Sequence, residues 1–135
     1  MEEIFNKLIE RLEIYGIKTT NLFKRDLNRL VKNNKKEFID VFYNEAKLFK
    51  DGQYREYNKY EQLKKNRMTE KQIKKLKGVS LWRYEYRKNN YNLKCLCAYL
   101  EGEPTFLCAF IEDENKRNGN KTYLSNIDRV IGMLE

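Results

Sequence analysis

The sequence predicts an α+β chain: a helical N-terminal half, then a three- to four-stranded antiparallel sheet, then a C-terminal helix. Two observations predict it. Apolar residues recur at helical spacing up to Gly78, and from Val79 the period drops to 2. The strand-like runs are joined by only a few residues, which suits an antiparallel meander, because parallel neighbours need a long crossover.

Taken in order, Ile4, Phe5, Leu8, Ile9 and Leu12 fall on one helical face over residues 2–15, and Gly16 ends the run. Thr20 is suited to cap a second helix whose stripe is Leu22, Phe23, Leu27, Leu30 and Val31, closed by Asn33-Asn34. Residues 37–49 fit two readings. Phe38, Val41, Phe42, Glu45 and Phe49 make a helical face, whereas Phe38-Ile39 and Val41-Phe42-Tyr43 make a strand; Asp51-Gly52 is a turn in either case. Residues 54–77 read as two helical pieces. The second opens at a capping box, Thr69 to Gln72, buries Ile73 and Leu76, and stops at Gly78. Three strands follow at 79–88, 93–101 and 105–113, with turns at Asn89-Asn90 and Gly102-Glu103-Pro104. After a loop at Asn118-Gly119-Asn120, Leu124, Ile127, Ile131 and Leu134 line a closing helix.

The chain has 135 residues, 41% apolar and 13% aromatic, enough for one packed core. It carries 28 Lys and Arg against 20 Asp and Glu, a net charge of +8, which favours a polyanionic partner, either nucleic acid or an acidic protein face. Simple solubility is the plainer account of that charge. No apolar run is long enough to span a bilayer, and the acidic start Met1-Glu2-Glu3 lacks the pattern of a secretory signal. A cytoplasmic protein without membrane contact is the expectation. Cys95, Cys97 and Cys108 lie in apolar runs and read as core thiols rather than as a redox or metal pair. With no histidine in the chain, a zinc site lacks ligands, so no metal and no cofactor are expected.

Strand alternation sorts the later residues by face. Trp82, Tyr84 and Tyr86 oppose Arg83, Glu85 and Arg87. Cys95, Cys97 and Tyr99 oppose Lys94, Leu96, Ala98 and Leu100, and Phe106, Cys108 and Phe110 oppose Leu107, Ala109 and Ile111. Arg83 and Arg87 resist a dry environment unless paired, so one face of the sheet is expected to be an open, basic concavity. The competing account is Arg to Glu85 bridges on a solvated face. A second basic feature spans 54–78, where nine basic residues stand against three acidic ones, with Tyr54, Tyr57 and Tyr60 interleaved. That mixture suits a phosphate backbone and unstacked bases, although a tyrosine stripe at helical spacing is more often core.

The absence of histidine excludes His-based triads and paired-histidine RNA cleavage, and no glycine-rich phosphate loop is present. Glu112-Asp113-Glu114 is the one acidic run and reads as a solvated turn. Cation-based chemistry remains: Arg and Lys stabilise a pentavalent phosphate, and a Lys or Tyr of shifted pKa moves a proton.

The run Leu76-Lys77-Gly78-Val79-Ser80-Leu81-Trp82-Arg83-Tyr84-Glu85-Tyr86-Arg87 resembles the "LKG…LW-x-x-R" approach to the sheet in RelE/ParE-like toxins, nearest to the phage-derived, HigB-like branch. The resemblance continues through Asn92-Leu93-Lys94-Cys95-Leu96-Cys97-Ala98-Tyr99 and Phe106-Leu107-Cys108-Ala109-Phe110, then a basic loop from Lys116-Arg117 to Lys121 and a helix from Tyr123. It covers about residues 37–135, which divides the chain into an N-terminal helical extension, 1–35, and a RelE-like domain, 36–135. Three positions depart from the pattern. Glu85 stands at the sheet arginine, Lys94 at the second-strand arginine, and Glu112-Asp113 where two lysines are usual.

Such a resemblance implies the toxin of a type II toxin–antitoxin system, held by a cognate antitoxin. Many members cleave mRNA on the ribosome without a metal, the RNA 2′-hydroxyl attacking the neighbouring phosphate. A ParE-like branch poisons gyrase instead. On this reading Arg83, Arg87 and Lys94 contact the scissile phosphate and Tyr123 transfers a proton. Lys64, Lys65, Arg67, Lys71, Lys74, Lys75 and Lys77, on a basic helix pair, hold mRNA or rRNA backbone, with Lys116, Arg117 and Lys121 adding a basic loop. The alternatives are a non-enzymatic phage or mobile-element protein on the same fold that inhibits gyrase or the ribosome, and a nucleic-acid-binding accessory protein without toxicity.

Overall fold

The computed structural model describes residues 2–33, 60–63, 67–88, 91–111 and 119–135. The expectations for 37–49, Asp51-Gly52, Asn89-Asn90, Glu112-Asp113-Glu114 and the basic residues Lys64, Lys65, Lys116 and Arg117 lie outside these residues. In chain order come helix α1 (Glu2–Ile14), strand β1 (Lys18–Thr19), helix α2 (Asn21–Asn33), strand β2 (Tyr60–Gln62), helix α3 (Glu70–Lys75), strands β3 (Trp82–Lys88), β4 (Tyr91–Leu100) and β5 (Glu103–Ile111), and helix α4 (Gly119–Leu134).

The helix, sheet, helix order agrees with the sequence, but the sheet itself requires correction. Among the described residues it is mixed and five-stranded, in the order β1-β5-β4-β3-β2. Strands β2 to β5 are antiparallel neighbours, whereas β1 runs parallel to β5, with Lys18 opposite Thr105 and Thr19 opposite Phe106. Two- and three-residue edge strands are too short to show a period of 2. Tyr60–Gln62 also follows tyrosines at three-residue spacing, a sequence pattern that suits a helix.

Local chemistry fixes the turns. After α1, Gly16 adopts φ +78, Ile17 N–H donates to the Leu12 carbonyl at 2.9 Å and Gly16 N–H to that of Glu13 at 2.9 Å. This is a Schellman closure, with Leu12 and Ile17 both buried beside it. Between β4 and β5 the turn residues are Glu101 (φ 53) and Gly102 (φ 80), flanked by the pair Leu100 and Glu103. Two consecutive positive φ values make a two-residue hairpin turn, placed one residue earlier than the sequence suggests.

Helices cover both faces of the sheet. On one side Leu8, Leu12, Ile17, Phe23, Leu27 and Val31 of the N-terminal segment pack on Tyr84, Leu93, Cys95, Cys97, Phe106 and Ala109. The Phe23 and Phe106 rings stand 5.3 Å apart. On the other, Leu76, Tyr123, Ile127, Val130 and Ile131 pack on Leu81, Leu96, Ala98, Leu107, Cys108 and Phe110. Each fully buried Leu, Ile or Phe contributes about 1.5–3 kcal/mol of transfer free energy. The expected open basic concavity is therefore absent from the described sheet: the central positions are dry on both sides.

A bulge explains one misplaced face. Leu96 pairs with Cys108 but its neighbour Cys97 pairs with Phe106, so β5 spends an extra residue there. Phe106 therefore joins Cys97 on the α2 side while Cys108 and Phe110 lie on the α4 side, breaking the strict alternation of the sequence reading.

Candidate nucleic-acid interface

Of the residues expected to hold nucleic acid, Arg67, Lys71, Lys74, Lys75 and Lys77 are described and exposed. Lys71, Lys74 and Lys75 lie on α3, with Arg67 before it and Lys77 after it. Among the described residues of that stretch one six-residue helix, α3, is present, and the rigidity of so short a piece comes from its caps and its anchor. Thr69 Oγ1 accepts from Gln72 N–H and Gln72 Oε1 accepts from Thr69 N–H, both at 3.1 Å. The buried Gln72 amide then donates from Nε2 to the Leu124 carbonyl at 3.0 Å and to Asp128 Oδ1 at 2.8 Å. These bonds pin α3 to α4, so the lysines around it project from a fixed base. Lys121 belongs to the first turns of α4.

The four residues expected to act on a phosphate have different fates. Strand register sets Glu85 opposite Lys94, Arg83 opposite Leu96 and Lys94 opposite Phe110, which puts Arg83, Glu85, Lys94 and Phe110 on the α4 side. Glu85 Oε2 receives both cations, Arg83 Nη1 at 2.8 Å and Lys94 Nζ at 2.7 Å. Lys94 has only 2% of its side chain exposed. A buried ammonium needs such a partner, because its desolvation is otherwise uncompensated. As the competing account held, then, a carboxylate satisfies the charge, although the second partner is Lys94 and the setting is shielded rather than solvated.

Tyr123 is buried, its ring edge-on to Phe110 at 5.4 Å and 87°. The Arg67 guanidinium lies 4.9 Å from its ring centroid, a cation–π arrangement. Arg83, Lys94 and Tyr123 therefore share one side of the sheet. Arg87 pairs with Asn92 two residues further along β3.

The sequence reading missed a second polar cluster at the β5 edge. Beyond Thr19, β1 stops and side chains of α2 take over its hydrogen bonding. Thr20 Oγ1 donates to the Leu107 carbonyl at 2.8 Å and accepts from Phe23 N–H at 3.0 Å, so one hydroxyl caps the helix and closes the strand. Buried Asp26 accepts from Ala109 N–H at 3.1 Å through Oδ2 and from Arg129 Nη2 of α4 at 2.5 Å through Oδ1. Arg129 in turn donates to Asn126 Oδ1 at 2.9 Å. A readable signal existed: Asp26 sits inside the apolar stripe of α2, between Phe23 and Leu27.

All three cysteines are free and buried. Burial pushes the Cys95 and Cys97 thiols well up, and desolvation with the nearby Asp26 carboxylate pushes Cys108 up to about 12, Arg129 opposing. Thiols in that state are inert as nucleophiles and ligands. Among the described residues no group of three or more Cys, Asp or Glu is placed to hold a metal ion, and no helix is long and apolar enough to cross a membrane.

Fold and surface together define an α+β protein with a mixed sheet between two helical layers and a short, lysine-bearing helix anchored on one of them. Compared with family models, with curated proteins and with solved structures, the chain matches none.

Proposed function

We propose that this chain is an RNA-directed toxin of the RelE/HigB-like kind, engaging mRNA or rRNA on the ribosome and neutralised by a partner antitoxin. The observation that carries it is the exposed basic set of Lys71, Lys74 and Lys75 on a short helix braced against α4, with Arg67 and Lys77 flanking it. Cations fixed on a rigid base bind a polyanion with less ordering cost than cations on a free loop. The net charge of +8 acts in the same direction by steering. Expression in a bacterial host is expected to arrest growth, and co-expression of the adjacent open reading frame to relieve it. Unimpaired growth on expression of the chain alone sinks the proposal.

A second form of the proposal, binding without cleavage, is favoured by one observation. Arg83 and Lys94, the side chains that would neutralise a pentavalent phosphate, already share Glu85 Oε2. Contact with a phosphate requires them to leave a carboxylate in a poorly solvated site, where that attraction is strong. Primer extension on a translated message separates the forms: new 5′ ends mean cleavage, whereas stalled but intact message means occlusion.

A further inference from the structure

Three adjoining grooves run from α3 to the start of β3. The first, between α3 and α4, is lined by Lys71, Gln72, Lys75 and Asp128 among others. The second takes up Lys75 and adds Lys77, Val79 and Leu134. The third shares Lys77 and Val79 and ends at Ser80, Trp82 and Tyr99. Neighbouring grooves share Lys75, Lys77 and Val79, but the first two lie on the α4 side of the sheet, whereas the third sets Lys77 beside two aromatic rings of the α2 side. The third groove measures about 380 Å³, at the small end of ligand clefts.

The rings are together because of register. Trp82 pairs with Cys97, so Tyr99, two residues on, lies diagonal to Trp82 on the same face, within reach of another aromatic. Trp82 has one side against the core, whereas Tyr99 is 39% exposed, unusual for a large ring beside a covered sheet. Lys77 is also out of its ordinary place. It holds φ 50 immediately before Gly78 at φ 85, a conformation glycine adopts more cheaply. The lysine there puts a cation at the edge of the aromatic groove.

We infer that the third groove seats a nucleotide of single-stranded RNA, with a phosphate at Lys77 and a base stacked at Trp82 and Tyr99. The inference rests on the RNA-directed reading above and names the form of nucleic acid it takes. A duplex keeps its bases stacked inward and offers nothing to the aromatic end, whereas a single strand offers a base face at each nucleotide.

Trp82 is the chain's one tryptophan, so its emission reports on the groove directly. Titration of the full chain with a uridine 12-mer is expected to quench it. Tyr99→Ala is expected to weaken binding by about tenfold, within the range for one lost stacking platform, and Tyr99→Phe to restore it. Lys77→Gly is expected to weaken binding and lower the slope of log K against log salt by about 0.7, while thermal stability holds or rises because the backbone there favours glycine. Wild-type affinity in both Tyr99→Ala and Lys77→Gly overturns the seat but leaves RNA binding elsewhere on the chain. Equal quenching by duplex RNA overturns the single-strand assignment. Quenching by polyglutamate and not by RNA makes the groove a protein-docking surface and overturns the inference. Failure of the wild-type chain to bind any RNA overturns both this and the function it rests on.

Discussion

Two residues define what the interior of this protein tolerates. Glu85 carries two cations on a single oxygen, one of them the buried Lys94, so its removal leaves a shielded ammonium without its carboxylate. Glu85→Gln is expected to cost about 3 kcal/mol, the low end for breaking a buried pair, read as a shift in urea midpoint at unchanged slope. Adding Lys94→Met to that variant is expected to recover most of the loss, since an apolar side chain of similar reach needs no partner. Cys108 makes a different demand. Its thiol titrates near 12 in the fold against an ordinary 9.0, because burial and Asp26 disfavour the thiolate. A folded pKa above the unfolded one means that stability is fully present below pH 9 and is lost as pH climbs from about 9 towards 12. Cys95 and Cys97 are raised in the same direction and add to the slope. A thiol reagent at pH 8 is expected to label none of the three cysteines in the native chain and all three after unfolding, and fast native labelling would contradict the burial described.

At the scale of elements, the edge of β5 is the instructive case. Thr20 and Asp26 do for its backbone what a longer β1 would do, and Arg129 reaches Asp26 from the opposite layer. Asp26→Ala removes the acceptor of Ala109 N–H and one of the two acceptors of Arg129 together. The expected cost is about 3 kcal/mol, kept low because 34% of the Arg129 side chain meets solvent. Thr20→Val is expected to cost about 1–2 kcal/mol through the lost cap. Both are read by denaturant unfolding. Elements with enough residues to show a period were legible in the sequence: α1 and α2 from their stripes, β3 to β5 from alternation, α3 from Thr69 and Gln72. What escaped were the features that depend on pairing. β1 and β2 are too short for a pattern, and the bulge beside Leu96 and Cys97 moves Phe106 to the other face without any glycine to mark it. The candidate site divides along the same line. Arg83, Lys94 and Tyr123 do come to one side of the sheet, but only register shows that Glu85 has already claimed two of them. The pairing of Trp82 with Cys97 likewise brings Tyr99 to the tryptophan, a proximity no local pattern contains.

For the whole molecule, the decisive fact is that residues 2–33 and the later strands share one core. The sequence suggests an extension at 1–35 followed by a domain at 36–135; the layers show how much each side of that boundary depends on the other. Tyr84, Leu93, Cys95, Cys97, Phe106 and Ala109 find their apolar cover in Leu8, Leu12, Phe23, Leu27 and Val31, and β5 finds its edge partner in Lys18–Thr19. A fragment of residues 36–135 would expose that face and the β5 edge at once, an arrangement that invites aggregation rather than folding. Its retained layer of α3 and α4 covers only the opposite face. The fragment is therefore expected to be insoluble, or to lack a cooperative thermal transition where the full chain shows one. Supplying residues 1–35 as a separate chain is expected to restore a transition whose midpoint rises with concentration, because association then replaces a covalent link. A fragment that melts cooperatively by itself, at the temperature of the full chain, would show that α1, β1 and α2 are an appendage rather than one wall of the core.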